Sequence, residues 1–451
     1  MNQSRHIVII GNGISGITCA RTLRKLDSDV RLTVISGESK YFFSRTALMY
    51  VYMGHMKFEH TQPYEDHFWD KNRIELKQAW VEKVDFEEKS LGFSEGEKLA
   101  YDTLVIATGS KPNQFGWPGQ DLKGVQGLYS KQDLEAMEAN TREGVSRAVI
   151  VGGGLIGIEM AEMLAYKQIP VTFLVREKRF WGNILPREEA ELVGRHIREH
   201  HIDLRLETEL SEILPDSAGR VRAVITSKGE EIACQFVGLT AGVSPNVDFL
   251  RNSPLEAGRG VKVDAFFQTN IPDVYAIGDC AEFDTAPAPD RKNIEQVWYT
   301  GRMHGETLAY NLCEKPVPYR PGVWFNSAKF LDIEYQTYGA VPAVFDPENV
   351  RNFYWEHRSG KICFRMLMDS DGAILGVNNF GFRLRHEFFD KAISQRWSGE
   401  KVVAQLQRAN FDPEFFAPYY IEIQKAFLAQ FGGSFQPAKK SFVQKLFGAK
   451  V

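Results

Sequence analysis

Two strand–glycine turn–helix–strand patterns, one at the N-terminus and one mid-chain, and a mixed strand-and-helix region from about Asn352 predict an α/β protein. The expected architecture is two Rossmann-like dinucleotide-binding domains plus a smaller α+β C-terminal domain. The 451 residues are enough for two or three such domains with a large core.

The first pattern is "HIVIIGNGISGITCARTLRKL", a β-rich run that turns at Gly11, Gly13 and Gly16 and then takes helical spacing. Gly11 permits the tight turn, Gly13 lets the backbone approach a pyrophosphate, and Gly16 lets helix and strand pack closely. The helix N-terminus offers free N–H groups and partial positive charge to phosphates. The next strand is "RLTVIS". Glu38 then follows Gly16 by 22 residues, about where a ribose-binding acid belongs.

The second pattern is "RAVIVGGGLIGIEMAEMLAYKQIPVTFLVREK", with Gly152, Gly154 and Gly157 at its turn. Arg176 and Glu177 follow its second strand. An acid there bonds the ribose hydroxyls of NAD, and an arginine pairs with the 2′-phosphate of NADP. Val175 falls about where NAD readers most often carry the acid. The residues equally suit a solvated loop, so the coenzyme stays open.

Two strands complete the set. "YDTLVIATGSKPN" ends in Ala107-Thr108-Gly109, and "TNIPDVYAIGDCAEF" ends in Gly278-Asp279. An acid past a glycine at a strand's C-terminal end can accept hydrogen bonds from a sugar-like chain; Asp279 also suits the first turn of a following helix.

Composition excludes several classes. The net charge of −4 argues against a general nucleic-acid binder. Five scattered cysteines without a CxxC suit reduced thiols in a cytoplasmic protein and exclude the usual zinc spacings, so no metal is expected. No signal peptide precedes His6, and no apolar run is long enough to span a bilayer.

In this order, the pieces resemble the FAD-dependent pyridine nucleotide-disulfide oxidoreductase superfamily over about residues 5–345. The resemblance implies FAD at Gly11/Gly13/Gly16 with Glu38 on the adenosine ribose, NAD(P)H at Gly152/Gly154/Gly157, and Asp279 on the ribityl hydroxyls. It implies an FAD-binding domain of residues 1–115 and 246–315, an NAD(P)H-binding domain of 116–245 and a C-terminal domain of 316–451. Glu159 would meet the nicotinamide carboxamide, although it also reads as a first-turn helix acid.

The stretch "KYFFSRTALMYVYMGH" (40–55) selects the branch. Disulfide reductases place a cysteine pair there; this chain has Phe43, Ser44, Arg45, Thr46 and Ala47. It resembles the ferredoxin-, rubredoxin- and nitrite-reductase-type flavoproteins, in which Arg45 matches an arginine beside the FAD pyrophosphate. Thr46 departs from their proline, and Tyr50 falls about where many relatives have a lysine near the flavin. "NIEQVWYTGRMHGETLAYNL" (293–312) resembles the helix leading away from the flavin, which implies Glu295 and Trp298 near the nicotinamide. "PYRPGVWFNSAKFLDIEYQTYG" (318–339) resembles the start of the C-terminal domain, where Trp324 and Phe325 would approach the isoalloxazine. Both aromatic assignments compete with plain core packing.

Beyond Asn352 two β-rich runs flank Asp369-Ser-Asp-Gly372, a hairpin signal, and three helical patterns follow. "KKSFVQKLFGAK" sets Phe442, Val443, Leu446 and Phe447 on one face among lysines. That tail is either a docked helix or a basic element touching a membrane or an acidic carrier.

With no thiol beside the flavin, the resemblance implies electrons passing from NAD(P)H through FAD directly to an external acceptor, a ferredoxin- or rubredoxin-type carrier. The competing expectations are a peripheral-membrane NAD(P)H:quinone reductase and an FAD-binding interaction protein with little turnover, as monomer or oligomer.

Overall fold

The computed structural model describes residues 4–94, 96–313, 315–412 and 417–433. The apolar face Phe442–Phe447 of the tail lies outside them. They form two compact units: Met1–Lys178 with His201–Pro321, and Arg179–His200 with Gly322–Val451. The expected 116–245 domain runs through both, because residues 179–200 belong to the second unit.

The first unit holds two five-stranded parallel sheets. One has the order Val274–Ala276, Thr103–Ile106, His6–Ile10, Arg31–Ser36, Ile74–Gln78. The other runs Asp203–Leu206, Val171–Val175, Ala148–Val151, Phe236–Leu239, Val125–Gln126. In each, the strand before the glycine turn is central, flanked by the strand after the helix and by a return strand. These central strands are almost wholly apolar, as parallel strands covered on both faces must be.

The turns show why glycine is required. Gly11 and Gly152 both have φ of +114°, a region that L side chains avoid. A Cβ on Gly16 would lie 2.1 Å from Gly11 O, and one on Gly157 would lie 2.3 Å from Gly152 O. Helix Ile14–Leu26 is crossed by helix Trp298–Leu312 at Gly305, where a Cβ would sit 2.4 Å from Ser15 O. That close crossing supports the floor of the first glycine turn.

Two expected elements begin differently. The pattern at 293–312 is helical only from Trp298, so Glu295 precedes the helix. Gly278–Cys280 is a single 3₁₀ turn running into strand Ala281–Phe283, so Asp279 caps no following helix.

The second unit carries a five-stranded antiparallel sheet, ordered Phe325–Phe330, Ile333–Gly339, Ile374–Phe380, Cys363–Met368, Arg351–Glu356. The hairpin turn falls at 369–372 as the sequence predicts. Helices His386–Ser394, Gly399–Ala404 and Tyr420–Phe431 follow, with Phe389, Val402, Val403, Ile423 and Phe427 in the core. Helix Arg187–Glu199 is anchored to this sheet by a buried charge pair. Arg365 Nε lies 3.1 Å from Glu189 Oε1, both side chains being wholly buried, and Arg365 Nη2 donates to Glu188 Oε2 at 2.7 Å. A buried pair of this kind is costly to break from one side, and it links residues 179–200 to this sheet.

Candidate functional site

The C-terminal ends of the first sheet's strands open into a cavity of about 840 Å³ within the first unit. This is where an open α/β sheet places its ligand, at the crevice beyond the strand ends. Its walls come from Gly11–Ser15, Gly37-Glu38, Phe42-Phe43, Arg45-Thr46, Ala79–Val81, Ala107–Pro112, Asp279 and Gln296–Trp298. Leu155, Ile156 and Glu159 of the second nucleotide fold join them. The cavity therefore gathers residues of both glycine folds.

At the starts of the two helices the backbone is bare; Gly13 lines the cavity, and Gly154 directly precedes the wall residue Leu155. A Cβ on Gly13 would meet nothing within 4 Å, and one on Gly154 only Thr240 O at 4.0 Å. Both glycines are N-caps with ordinary extended φ, each opening a helix whose first N–H groups have no side-chain cap. A Cβ-free cradle at a helix N-terminus fits a pyrophosphate, so these residues suit the dinucleotides that the sequence implies.

Glu38 and Arg45 line the cavity together and form one bidentate pair. Arg45 Nη1 donates to Glu38 Oε1 at 2.8 Å and Nη2 to Oε2 at 2.7 Å. Arg45 also bonds the Tyr129 carbonyl, and the Lys131 N–H donates to Glu38 Oε1 at 2.8 Å. The carboxylate is thus held at the start of helix Lys131–Thr141. Planar fork-to-fork geometry is what arginine supplies and lysine does not.

Asp279 lines the cavity just after the left-handed Gly278, where a Cβ would lie 2.5 Å from Ser15 Oγ. Ser110 Oγ donates to Asp279 Oδ2 at 3.0 Å and itself accepts from Gln296 Nε2 at 2.8 Å. Tyr129 OH lies 3.5 Å from the same carboxylate oxygen. Burial raises the Asp279 carboxyl above its usual range, against the Ser110 hydrogen bond and the Arg45 charge. Burial and Asp279 push the Tyr129 phenol up to about 12. The Asp279 carboxylate accepts hydrogen bonds from hydroxyl groups in this corner.

Other expected residues fall in different places. Ala107, Thr108 and Gly109 line the cavity, and Thr108 Oγ1 is tied to Asn246 O at 2.8 Å. Glu159 and Trp298 line it too, with Trp298 37% exposed. Tyr50 does not; it lies beside His55, ring centroids 6.2 Å apart. Arg176 and Glu177 pair with each other at 3.0 Å, outside the cavity wall, and the Arg176 side chain is 70% exposed. Trp324 and Phe325 belong to the second unit, where Phe325 stacks on Tyr338 at 5.3 Å.

Glu295 is not on the wall. It is buried, accepting from Arg291 Nη1 at 3.0 Å and from Tyr319 OH at 2.8 Å. Burial raises its carboxyl, but His304, Tyr319 and Arg291 outweigh that and leave it below the usual range. Gly278 N–H donates to His304 Nδ1 at 3.1 Å, so the His304 proton is on Nε2, 3.4 Å from Glu295 Oε2. Glu295 thereby steadies the Gly278-Asp279 turn through His304 instead of facing a ligand.

Sequence reasoning missed Ser110, Tyr129, Gln296 and Trp80. Ser110 directly follows Gly109 and Gln296 directly follows Glu295, so both are within reach of the motifs; Tyr129 and Trp80 carry no local signal. The Trp80 indole covers Gly37, where a Cβ would lie 2.1 Å from the ring, and it borders the cavity beside Glu38. No cysteine lines the cavity among the described residues. Cys19, Cys234, Cys280 and Cys363 are buried free thiols, and Cys313 is half-buried.

Comparison with known proteins shows the family of the chain. Residues 5–305 match the family described as pyridine nucleotide-disulphide oxidoreductase. The chain is 28% identical over 412 residues to the ferredoxin–NAD(+) reductase component of the p-cumate 2,3-dioxygenase system of Pseudomonas putida, covering 91% of this chain and 96% of that one. It is also 28% identical to the rubredoxin-NAD(+) reductase of Acinetobacter baylyi, covering 63% of this chain and 74% of that one. In fold it is similar to a solved NAD-dependent persulfide reductase from A. fulgidus, with TM-score 0.81, 23% identity, 94% of this chain and 83% of that one covered.

Proposed function

The chain belongs to the pyridine nucleotide-disulphide oxidoreductase family and is an FAD-dependent NAD(P)H oxidoreductase; we propose that it passes electrons through the flavin directly to a ferredoxin- or rubredoxin-type carrier protein. The observation that carries this reading is the cavity wall, which joins both nucleotide folds and includes no cysteine among the described residues. Bound FAD supplies acceptance of two electrons from a nicotinamide and their release one at a time.

The chain's own residues hold and orient. We assign the Gly13 cradle and the Ile14–Leu26 helix N-terminus to the FAD pyrophosphate, and Gly154 with the Leu155–Tyr166 N-terminus to that of NAD(P)H. The Glu38–Arg45 pair marks the adenosine end, with Trp80 beside it. Asp279, set by Ser110 and the Gly278 turn, accepts from the ribityl hydroxyls. Glu159 and Trp298 stand on the remaining wall, where the nicotinamide is oriented and water excluded. Residues 1–115 and 246–315 then serve FAD, 116–245 NAD(P)H, and 316–451 the C-terminal domain, save that 179–200 packs with the latter. Among the described residues no helix is long and apolar enough to cross a membrane; we place the protein in the cytoplasm.

An anaerobic titration of the purified protein tests this. NADH or NADPH bleaches the flavin absorbance, and reoxidation is fast with a ferredoxin or rubredoxin. Rapid turnover with a disulfide, and none with either carrier, overturns the reading. Release of membrane-bound protein on deleting residues 434–451, with quinone as the better acceptor, replaces the carrier by a quinone.

A further inference from the structure

We propose that His196, His200 and Asp332 form a divalent transition-metal site in the second unit, with zinc the ion of choice. His196, in helix Arg187–Glu199, and His200, at its C-cap, are four residues apart and so share a face, one turn apart. Their ring centroids are 4.4 Å apart. Asp332 lies in the two-residue connection between strands Phe325–Phe330 and Ile333–Gly339, next to Leu331 with φ of +58°. One ligand atom from each of the three residues lies within 4.8 Å of the other two.

The hydrogen bonds around the two rings decide which atoms converge. His200 Nδ1 lies 3.0 Å from the His196 carbonyl oxygen. A carbonyl only accepts, so Nδ1 carries the proton and Nε2 turns its lone pair toward Asp332 Oδ1, 3.3 Å away. His196 Nδ1 faces the Glu199 carboxylate at 3.5 Å, which Lys361 approaches at 3.6 Å. His196 Nδ1 has no hydrogen-bond partner among the described residues, and its Nε2 meets Asp332 Oδ1. Both Nε2 atoms and one carboxylate oxygen thus face one point. His200 Nε2 and Asp332 Oδ1 are both acceptors, so the cluster needs a positive charge among them.

A metal ion meets that need better than a proton. His196 is 1% exposed, and a buried imidazolium is costly. Ligating histidines characteristically donate their other ring N–H to a backbone carbonyl or a carboxylate; His200 has the His196 carbonyl, and the Glu199 carboxylate lies 3.5 Å from His196 Nδ1. Two imidazole nitrogens and one carboxylate suit zinc, leaving a fourth position for water. Such an ion pins the helix to the first hairpin of the antiparallel sheet, on the same unit as the Glu189–Arg365 pair. In the sequence this site is a His-x₃-His with an acid 132 residues beyond His200, a pattern that cysteine spacing does not report.

The test uses the full-length flavin-loaded protein, freed of any affinity tag, treated with chelator and desalted. Calorimetric titration with Zn²⁺ gives one equivalent bound. His200→Asn and Asp332→Asn, both at exposed or half-exposed positions, weaken that binding at least about tenfold, while the flavin spectrum and NADH-dependent dye reduction stay unchanged. Wild-type affinity in both variants, or no zinc uptake by the unaltered protein at micromolar concentration, overturns the site; the latter leaves a shared proton as the bridging charge.

Discussion

The two glycine turns share a backbone and differ in their side chains. At Gly11 and Gly152 the φ is the same +114°, and in both a Cβ would strike the carbonyl at the end of a neighbouring strand, at 2.1 Å from Ala107 O and 2.7 Å from Thr240 O. Around the first turn, the acid after the second strand is locked: Glu38 is 16% exposed, held by Arg45 and a helix N–H. Around the second, Arg176 and Glu177 meet only at the surface, with Arg176 70% exposed. The shared part is what any dinucleotide requires. The difference separates a site organised before its ligand arrives from one whose charged residues are free to rearrange, which suits a resident flavin and an exchanging nicotinamide nucleotide.

The sharpest way to break the symmetry is at the clashing glycines. Gly11→Ala places a Cβ into the Ala107 carbonyl at a left-handed φ, a strain on the order of 3 kcal/mol or more. We expect purified Gly11→Ala protein to carry little flavin and to melt earlier by calorimetry. Gly152→Ala incurs similar backbone strain but in the second sheet, so it retains yellow protein that NAD(P)H bleaches poorly. Equal flavin content in the two variants would erase the distinction between resident and exchanging sites.

Gly13 and Gly154 make the more discriminating pair, because alanine at either meets open space and an ordinary φ. The folded chain has no reason to object, so any loss reports the ligand. An added methyl in the cradle costs about 1–3 kcal/mol of overpacking against a pyrophosphate, roughly five- to 150-fold in affinity. Gly13→Ala should lower FAD affinity with the melting temperature of the flavin-free protein unchanged. Gly154→Ala should keep its flavin and raise the KM for NAD(P)H. If Gly13→Ala retains wild-type FAD affinity, the cradle does not hold the pyrophosphate.

These pairs also show what was legible in the sequence. The turns, sheets and hairpin at 369–372 follow from glycine spacing and apolar runs, because backbone constraints are local. Glu38 and Arg45 were each placed near the ligand, but their mutual pairing was not foreseen, since it depends on how residues 40–47 fold back beside Tyr129. Glu295 was expected to face the nicotinamide and instead is buried behind His304, because the helix begins at Trp298 and the preceding segment turns its acid inward. Residues 179–200 group with the second unit, where Glu189 pairs with Arg365, more than 160 residues beyond them, and no periodicity reports such a partner.

The smallest effect bears on the exposed half of the comparison. Arg176 is solvated and already paired with Glu177 at 3.0 Å, so its attraction for a 2′-phosphate is screened and of the order of 1 kcal/mol. Arg176→Ala should weaken NADPH about fivefold and leave NADH within about twofold, as read from KM in dye reduction. It also releases Glu177, which is then free to accept from the ribose hydroxyls of NADH, so any change with NADH should be toward tighter binding. The differential should shrink as salt rises, because an exposed charge contact is screened within a Debye length of about 8 Å at physiological ionic strength. An equal loss for both coenzymes would mean that Arg176 acts through the loop's shape, and coenzyme choice would then have to come from residues nearer Val175.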